Sequence, residues 1–380
     1  MKPMAVEALC EKGFTARMAR QYLAALERED QSDLFDPTYR TWAHEHGFFA
    51  ESACTYGLND SNVGRYLSDY EFHRLWPLNG WQRIWINDKL TLNAIVQGSD
   101  LERYVPSYFY YSEPHRLLPL CGSSYAPGFE GFLATLRTQG EFACKPCNGA
   151  KALGFHRLAY ENGAYTIDGA SATEQELCDF VKAHPNYVFT EYLHPSKQFE
   201  EIDPLIHTLR ILVLNPSGVD PYPVASYLRF GIHHADDKNF SNYTPPREAG
   251  TCSYNAQVDL ETGAYGNGKL AYANRVVQAP EHPITGIRVE GTIPQWSEVL
   301  DVLRKFSLKV GACEYLGFDI GMTESGPMVM EINSHTGVKY LQLFQPAFDN
   351  DVLARYYQTK MAAIDALTGE DLLARNRIAR

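Results

Sequence analysis

The sequence predicts an α+β protein of two or three lobes, in which a mostly helical N-terminal region precedes mixed strands and helices. Apolar residues recur at helical spacing over Ala5–Glu29. Further along, short apolar strands are joined by turns at Asn162-Gly163 and at Glu324-Ser325-Gly326-Pro327. A chain of 380 residues with 45% hydrophobic content is long enough to bury a substantial core.

The composition argues against several classes of function. There are 34 basic and 46 acidic residues, and the net charge of −12 argues against binding nucleic acid or an anionic membrane surface. No run of 18 apolar residues predicts membrane insertion, and the N-terminus lacks a signal-peptide core, so we expect a cytoplasmic protein. Eight cysteines show no disulfide pattern, and Cys144-Lys-Pro-Cys147 has no second CxxC to complete a zinc site.

The N-terminal part is predicted to be helical over residues 1–80, with the aromatic-rich stretch 66–85 as core or lobe interface. Asp88 then precedes a predicted amphipathic helix over Leu90–Val96. Lys89 lies in the first turn of this helix, where the helix dipole disfavours a cation. Lys89 is therefore either an ordinary surface lysine or a residue that points at a bound phosphate.

A lysine-bearing strand follows at Glu141–Pro146, and the loop 147–154 leads from it into a second strand over Phe155–Tyr160. Backbone N–H groups of such a loop can fold over phosphates while Lys145 supplies charge from beneath. The loop contains only two glycines, which makes it a weak signal by itself.

The next segment combines a helix with an apolar strand. Ser171-Ala-Thr-Glu174 predicts a capping box that opens a helix over Glu174–Ala183. The apolar strand Tyr187–Leu193 carries a carboxylate near its end and leads into a loop that contains a proline, which suits an adenine pocket. Glu191 would accept a hydrogen bond from the amino group of adenine. The backbone groups of Tyr192 and Leu193 would supply the complementary hydrogen bonds.

Arg210 interrupts the otherwise apolar strand that begins at Thr208. A buried charge is costly unless it is paired, so we expect either an anionic ligand or an ordinary ion pair. The following strand carries Arg229, and the irregular stretch 231–252 predicts a long functional loop. The adjacent His233 and His234 in that loop are weak evidence for a metal.

The strongest signal lies between Gly317 and Asn333, which reads as a hairpin of two apolar strands. If the hairpin is symmetric about Ser325, Asp319 lies opposite Glu331, where like charges destabilise a sheet unless a cation joins them. Asn333 projects from the same face as Glu331 because strand side chains alternate. These oxygen ligands suit Mg²⁺ or Mn²⁺, although a hairpin with one solvated face would also explain them.

The ordered set of motifs resembles the ATP-grasp superfamily across roughly residues 84–345. The motifs that carry this resemblance are Asn87-Asp-Lys89, Lys145, Glu191-Tyr-Leu193, Thr208-Leu-Arg-Ile211, Gly317-Phe-Asp-Ile320 and Glu331-Ile-Asn333. Together with Val258-Asp-Leu-Glu-Thr-Gly263, they are most like the sugar-transfer-associated group. That group is described as related to α-L-glutamate ligases and is found with polysaccharide biosynthesis.

The resemblance implies an ATP-grasp fold, with two α+β lobes that clasp ATP. The implied activity is an ATP- and Mg²⁺-dependent ligase that joins a carboxylate substrate to an amine substrate through an acyl phosphate. The acceptor would be a sugar acid, an amino acid or a polysaccharide precursor, and a homodimer is compatible with the resemblance. The implied regions are a helical N-terminal region (1–80), a linker lobe (81–140), a small nucleotide-binding lobe (141–193), a large metal-binding lobe (194–345) and a C-terminal helix (346–380).

The resemblance also implies roles for individual residues. The residues implied for ATP are Lys89, Lys145, Asn148, Gly149, Lys151, Glu191, Tyr192 and Leu193. Asp319, Glu331 and Asn333 would ligate one or two metal ions, and Arg210 and Lys145 would be catalytic. After Asn333, the segment Ser334-His335-Thr336-Gly337 replaces the family's usual Pro-Gly continuation. The candidate substrate contacts are Arg229, Ser334, His335 and Lys339.

Two alternatives to the ligase remain open. The same nucleotide site could serve a small-molecule kinase, which would give a phosphorylated product rather than free phosphate. A catalytically silent nucleotide-binding scaffold of glycan assembly is the other alternative, although such a protein has no evident need for facing carboxylates.

Overall fold

The computed structural model describes residues 5–376, except 121–124, 150–153, 233–239, 244, 245, 247 and 249. Lys151, His233 and His234 therefore lie outside the described residues. The described α-helices are α1 (Val6–Glu11), α2 (Ala16–Asp30), α3 (Pro37–Glu45), α4 (Ala50–Tyr56), α5 (Asp69–Leu75), α6 (Ile84–Asn87), α7 (Lys89–Val96), α8 (Gly128–Gln139), α9 (Glu174–Ala183), α10 (Lys197–Glu200), α11 (Trp296–Lys309), α12 (Lys339–Gln342), α13 (Asp351–Asp365) and α14 (Gly369–Asn376).

The strands complete an α+β fold, as the sequence predicts. They are β1 (Tyr108–Ser112), β2 (Leu117–Pro119), β3 (Glu141–Pro146), β4 (His156–Glu161), β5 (Ala164–Ile167), β6 (Ala170–Ala172), β7 (Tyr187–Glu191), β8 (Thr208–Leu214), β9 (Tyr222–Phe230), β10 (Cys252–Val258), β11 (Ala264–Tyr272), β12 (Val276–Gln278), β13 (Gly291–Thr292), β14 (Tyr315–Thr323) and β15 (Gly326–Asn333).

The N-terminal region is helical, as predicted, and the stretch Ala5–Glu29 with its helical spacing forms two helices, α1 and α2. The chain turns between them at Gly13, whose φ of +94° favours glycine. A Cβ atom at Gly13 would also lie 2.3 Å from the side chain of Ile364. The turn therefore lets the N-terminal helices pack closely against the C-terminal helix α13.

The smaller sheet is antiparallel, with strand order β2-β1-β7-β3-β4-β5-β6, and packs against α8 and α9. The predicted type I′ turn is present, because Asn162 and Gly163 have φ angles of 53° and 82°. Strands β1 and β2 pair within this sheet, although they fall in the linker lobe (81–140) that the sequence predicts. The predicted lobe boundaries stay predictions.

The predicted capping box of α9 is wrong by two residues. The observed box joins Thr173 to Glu176, and the Glu176 carboxylate accepts from the Thr173 N–H at 2.7 Å. Ser171 belongs instead to β6, where it pairs with Thr166. The helix itself spans Glu174–Ala183 as predicted, and only its capping residue differs, since both positions fit the Ser/Thr-x-x-Glu pattern.

The larger sheet has the order β12-β11-β10-β9-β8-β14-β15, with β13 paired to β11, and α11 covers one of its faces. Buried side chains of α11, among them Val299, Val302 and Phe306, pack against apolar side chains of β8 and β14. This order places β8, β14 and β15 side by side. Charged residues of these three strands can therefore form one continuous row.

The hairpin of β14 and β15 confirms the predicted pairing of Asp319 with Glu331. The predicted symmetry about Ser325 is wrong near the turn, because Thr323 pairs with Gly326 there. The register shifts by one residue at Met330, between the Ile320–Val329 pair and the Asp319–Glu331 pair. This β-bulge brings the two carboxylates opposite each other.

The chain ends in two helices, α13 and α14, rather than in one C-terminal helix. Arg74 of α5 forms an ion pair with Asp365 of α13, which ties the two ends of the chain together. Among the described residues, no helix combines the length and the apolar character needed to cross a membrane.

Candidate active site

A cavity of about 470 Å³ lies between the two sheets. The smaller sheet and its loops contribute Lys145, Gly149 and Phe155 to its lining, and helix α7 contributes Lys89. The larger sheet contributes polar and charged side chains, namely Thr208, Arg210, Tyr227, Arg229, Asp319, Glu331 and Asn333. The cavity thus gathers most of the charged residues that the sequence singled out.

A row of four residues crosses the larger sheet along the floor of this cavity. Tyr227 of β9 pairs with Arg210 of β8, Arg210 pairs with Asp319 of β14, and Asp319 pairs with Glu331 of β15. Partners in adjacent strands have Cβ atoms about 4.5–5.5 Å apart. The row therefore places a guanidinium and two carboxylates on successive strands of one face.

The Arg210 guanidinium binds both oxygens of Asp319. Its Nε donates to Oδ1, its Nη2 donates to Oδ2 at 2.8 Å, and its Nη1 donates to the hydroxyl of Thr336. Burial lowers the pKa of Arg210, but the Asp319 carboxylate more than offsets this and raises it above the ordinary value. Arg210 is therefore a permanent cation at the centre of the row.

Lys89 approaches the other carboxylate of the row. Its Nζ lies 3.9 Å from Glu331 Oε1 and donates to the carbonyl oxygen of Gly149 at 3.3 Å. The predicted start of α7 is confirmed, because the Asp88 carboxylate accepts from the N–H of Thr91 at 2.8 Å. Burial raises the pKa of Glu331, and the Lys89 ammonium offsets this only in part.

Lys145 extends from β3 into the same cavity. Burial, together with repulsion from the Lys89 ammonium, lowers the pKa of Lys145 to about 8, while the Glu331 carboxylate opposes that shift. Three cations, Lys89, Lys145 and Arg210, thus converge on two carboxylates. Such an arrangement can hold a polyanion over the row.

The donor set of Asp319, Glu331 and Asn333 fits a hard divalent cation. It comprises two facing carboxylates and an amide, and the Asn333 Nδ2 lies 3.5 Å from Asp319 Oδ2. No group of three or more His, Cys, Asp or Glu side chains suited to a metal occurs in the described part of the chain. A metal held here would therefore need the Asn333 oxygen, or ligands from substrate and water.

The predicted nucleotide residues are only partly brought together. Gly149 lines the cavity beside Lys89 and Lys145. Asn148 is exposed, does not line the cavity and accepts a hydrogen bond from Asn186 at 3.2 Å. The roles proposed for these loop residues stay predictions.

The predicted adenine residues lie at the end of β7 and do not line the cavity. The Glu191 carboxylate accepts from the N–H of Ser107 at 3.1 Å. The ring of Tyr192 lies 5.3 Å from the Arg157 guanidinium, and Leu193 is buried. Their assignment to adenine likewise stays a prediction.

Three of the four predicted substrate contacts, Arg229, His335 and Lys339, line the cavity. His335 stacks on Phe72 with the ring centroids 4.1 Å apart, and burial lowers its pKa to about 3, so its imidazole is neutral. Ser334 is buried and does not line the cavity. Its N–H donates to Asn87 Oδ1 at 3.1 Å.

The sequence interpretation gave no individual role to several lining residues, namely Tyr227, Phe240, Asn242, Tyr243, Thr336 and Tyr340, although Asn242 and Thr336 lie in segments that it marked as functional. A signal existed for Tyr227, because it lies two residues before Arg229 on a strand and so shares its face. Asn242 and Tyr243 fall within the loop predicted to be functional, but no motif marks them individually.

Comparison with known proteins gives a family match. The sequence model of sugar-transfer-associated ATP-grasp proteins matches residues 85–353. No curated protein matches the chain.

Solved structures that match include ligases with low sequence identity. D-alanyl-alanine synthetase A from Vibrio cholerae O1 biovar eltor is 11% identical, with 75% of this chain and 68% of that chain covered and a TM-score of 0.44. VanG D-Ala:D-Ser ligase from Enterococcus faecalis is 13% identical, with coverages of 73% and 64% and a TM-score of 0.39. D-alanine–D-alanine ligase from Bacillus anthracis is 12% identical, with coverages of 75% and 72% and a TM-score of 0.36. This chain spans less than two thirds of the VanG ligase, and the assignment rests on the family model.

Proposed function

This chain belongs to the sugar-transfer-associated ATP-grasp family, and from that premise we propose that it is an ATP-dependent ligase that joins a carboxylate to an amine. The observation that carries the proposal is the row of Arg210, Asp319 and Glu331 facing Lys89 and Lys145 in one cavity. Phosphoryl transfer requires positioning and charge neutralisation, which these five side chains can supply without a protein nucleophile.

In this proposal, Lys89 and Lys145 hold the phosphates of ATP. Their convergence in the cavity supports this role, as does the lowered pKa of Lys145, which burial and then repulsion from Lys89 cause and which a bound polyanion would offset. Asn148, Gly149 and Lys151 of the loop would assist them. Glu191, Tyr192 and Leu193 would bind adenine at the end of β7, between the small nucleotide-binding lobe (141–193) and the large metal-binding lobe (194–345).

Asp319, Glu331 and Asn333 would hold Mg²⁺ or Mn²⁺, which would neutralise charge on the phosphates when bound. The chain's own cations already meet both carboxylates, with Arg210 on Asp319 and Lys89 near Glu331. Binding of the metal would therefore free these two cations to contact phosphate oxygens instead.

The proposed reaction has two steps. A carboxylate oxygen of the first substrate attacks the γ-phosphorus of ATP, the bond to the bridging oxygen breaks, and ADP leaves. An amine then attacks the acyl carbon, loses a proton and expels inorganic phosphate to give an amide. Arg210 would stabilise the transferring phosphoryl group and the acyl phosphate, because it is buried, permanently charged and positioned by Thr336.

We propose a sugar acid, an amino acid or a polysaccharide precursor as the acceptor. Arg229, His335 and Lys339 line the same cavity as the row and are the proposed substrate contacts. Ser334 would act indirectly, since its buried backbone groups bind Asn79 and Asn87 and so fix the segment that follows Asn333.

The test incubates the protein with ATP, Mg²⁺ and a pool of amino acids and uronic acids, and follows free phosphate and product masses together. The expected result is phosphate release that depends on one carboxylate and one amine, with a product one water lighter than their sum. A phosphorylated product without free phosphate would favour a kinase, and absence of turnover with every pool member would overturn the ligase.

A further inference from the structure

Two cations and two tyrosines line the cavity together, and we call Arg229, Tyr243, Tyr340 and Lys339 the substrate wall. The Arg229 guanidinium lies 4.7 Å from the centre of the Tyr243 ring, and the Lys339 ammonium lies 5.4 Å from that of Tyr340. The two tyrosine rings are 6.5 Å apart. Two cations therefore bracket a pair of aromatic rings, and all four side chains line the cavity.

Arg229 is a buried cation with no anionic partner among the described residues. It is 9% exposed, and within the described ranges its Nη2 donates to the neutral oxygens of Thr208 at 3.3 Å and Asn242 at 3.2 Å. Its Nε is buried and has no hydrogen-bond partner in the described part of the chain. Since a buried charge is costly unless it is paired, and none of the described residues supplies a counterion, Arg229 is suited to receive an anion from a ligand.

Lys339, by contrast, has an anionic partner from the helical N-terminal region. Its Nζ forms an ion pair with Glu51 of α4, although the two residues are 288 positions apart in the chain. Glu51 does not line the cavity, so it supports Lys339 from behind. The pair fixes the direction of a side chain that would otherwise sample many rotamers.

Helix α4 itself is held firmly at its start. The buried Glu29 carboxylate accepts from the N–H groups of Ala50 at 2.7 Å and Glu51 at 2.9 Å. The Asp69 carboxylate accepts from the N–H of Phe49 at 2.9 Å. The free N–H groups at this helix terminus are thus satisfied by two acidic side chains, which fixes the position of Glu51.

Other contacts join the N-terminal region to the segment that carries Lys339. Phe72 stacks on His335, and the Asn79 Nδ2 donates to the carbonyl oxygen of Ser334 at 3.0 Å. Gln342 accepts from the N–H of Leu67 at 2.8 Å. Residues 334–342, which follow the proposed metal ligand Asn333, are therefore clamped by residues 51–79.

We propose that the helical N-terminal region completes a substrate wall that binds a negatively charged sugar ring, with Glu51 as the positioning residue for Lys339. The tyrosine faces pack against the ring of the substrate, while Arg229 and Lys339 bind its carboxylate. The inference rests on the proposed ligase function. It adds a substrate class and gives the N-terminal region a role in recognition.

The test uses the ligase assay with D-glucuronate and D-galacturonate as the varied probes and with ATP and the amino-acid pool saturating. K339M should raise the half-saturating uronate concentration about tenfold or more, because a charge-assisted contact is lost. E51Q should raise the half-saturating uronate concentration several-fold, and E51D should bring it part of the way back to the wild-type value. The half-saturating ATP concentration should not change in any of these variants. R65Q is the matched control, because it breaks another ion pair of the N-terminal region, Arg65–Asp349, away from the cavity.

The outcomes separate this inference from the proposed function. If the wild type is active and K339M and E51Q behave like R65Q, the inference is overturned and the ligase stands. A shift in the dependence on the amino acid instead of the uronate would overturn the charged-sugar assignment. Wild-type turnover with another carboxylate of the pool but with neither uronate would overturn the inference and leave the ligase standing, whereas absence of turnover with every pool member would overturn both. K339R keeps the positive charge and serves as the conservative variant, and the melting temperatures of all variants distinguish loss of the contact from loss of folding.

Discussion

Arg210 and Asp319 are direct partners across β8 and β14, and the guanidinium of one binds both carboxylate oxygens of the other. Both side chains are only 12% exposed. A buried ion pair of this kind contributes little to stability relative to apolar residues, since desolvation offsets the attraction between the charges. Its position beside Glu331 therefore favours a role in the chemistry of the site rather than in holding the sheet together.

This relationship predicts different responses of stability and turnover. R210M leaves the Asp319 carboxylate buried and unpaired, so we expect the free energy of unfolding to fall by about 3 kcal/mol. The double variant R210M/D319L removes both charges and should recover most of that loss. Urea unfolding measures the stability, and ATP-dependent phosphate release should fall by about 10³-fold or more in both variants. Turnover in R210M within a few-fold of wild type would contradict the role of Arg210.

The substitution Glu331→Gln removes one negative charge from the proposed metal site but nearly preserves the size of the side chain. The amide has nearly the same size but cannot supply the negative charge that a divalent cation needs, so Mg²⁺-dependent phosphate release should be abolished. The melting temperature should be equal to or higher than that of the wild type, because burial disfavours the Glu331 carboxylate and raises its pKa. The matched control is E261Q, on an exposed turn. Near-normal turnover in E331Q would refute the metal assignment.

The central row could be predicted in part from the sequence, because charged residues inside apolar strands are conspicuous. Asp319 and Glu331 pair as predicted, but the hairpin reaches that pairing through the bulge at Met330 rather than by symmetry about Ser325. No glycine or other local signal marks Met330. The bulge follows from how the whole strand packs, and a sequence pattern alone does not encode that.

The contribution of the N-terminal region could not be predicted from the sequence. Glu51 and Phe72 meet Lys339 and His335 through contacts between segments more than 250 residues apart. Helical periodicity identifies which face of each helix is apolar, but not which distant segment that face packs against. The same holds for the loop that carries Tyr243. Its length predicts a functional loop, but it does not predict which of its side chains lines the cavity.

The raised pKa of Asp69 predicts that the stability of the N-terminal helices depends on pH. Burial raises its pKa from 3.8 to about 7, so the folded protein retains a proton there that the unfolded chain loses near pH 4. Stability contributed by this group is therefore present below pH 4 and is lost as the pH rises through 7. D69N should gain on the order of 2 kcal/mol relative to wild type between pH 4 and 8. Urea unfolding across this range, with the exposed D33N as control, measures the difference, and parallel profiles for D69N and wild type would contradict it.

The lowered pKa of Lys145 predicts that the protein takes up protons when it binds ATP near pH 8.5. Its pKa is lowered to about 8 by burial and by the Lys89 ammonium, so at pH 8.5 much of it is neutral in the free protein. Phosphate oxygens favour the charged form, and binding should restore about half a proton or more at pH 8.5 but almost none at pH 6.5. Calorimetry in two buffers of different ionisation enthalpy measures this uptake. K145R keeps the charge but does not titrate, so it should bind ATP without taking up a proton. Uptake that persists in K145R would mean that another group gains the proton and that Lys145 does not hold the phosphates.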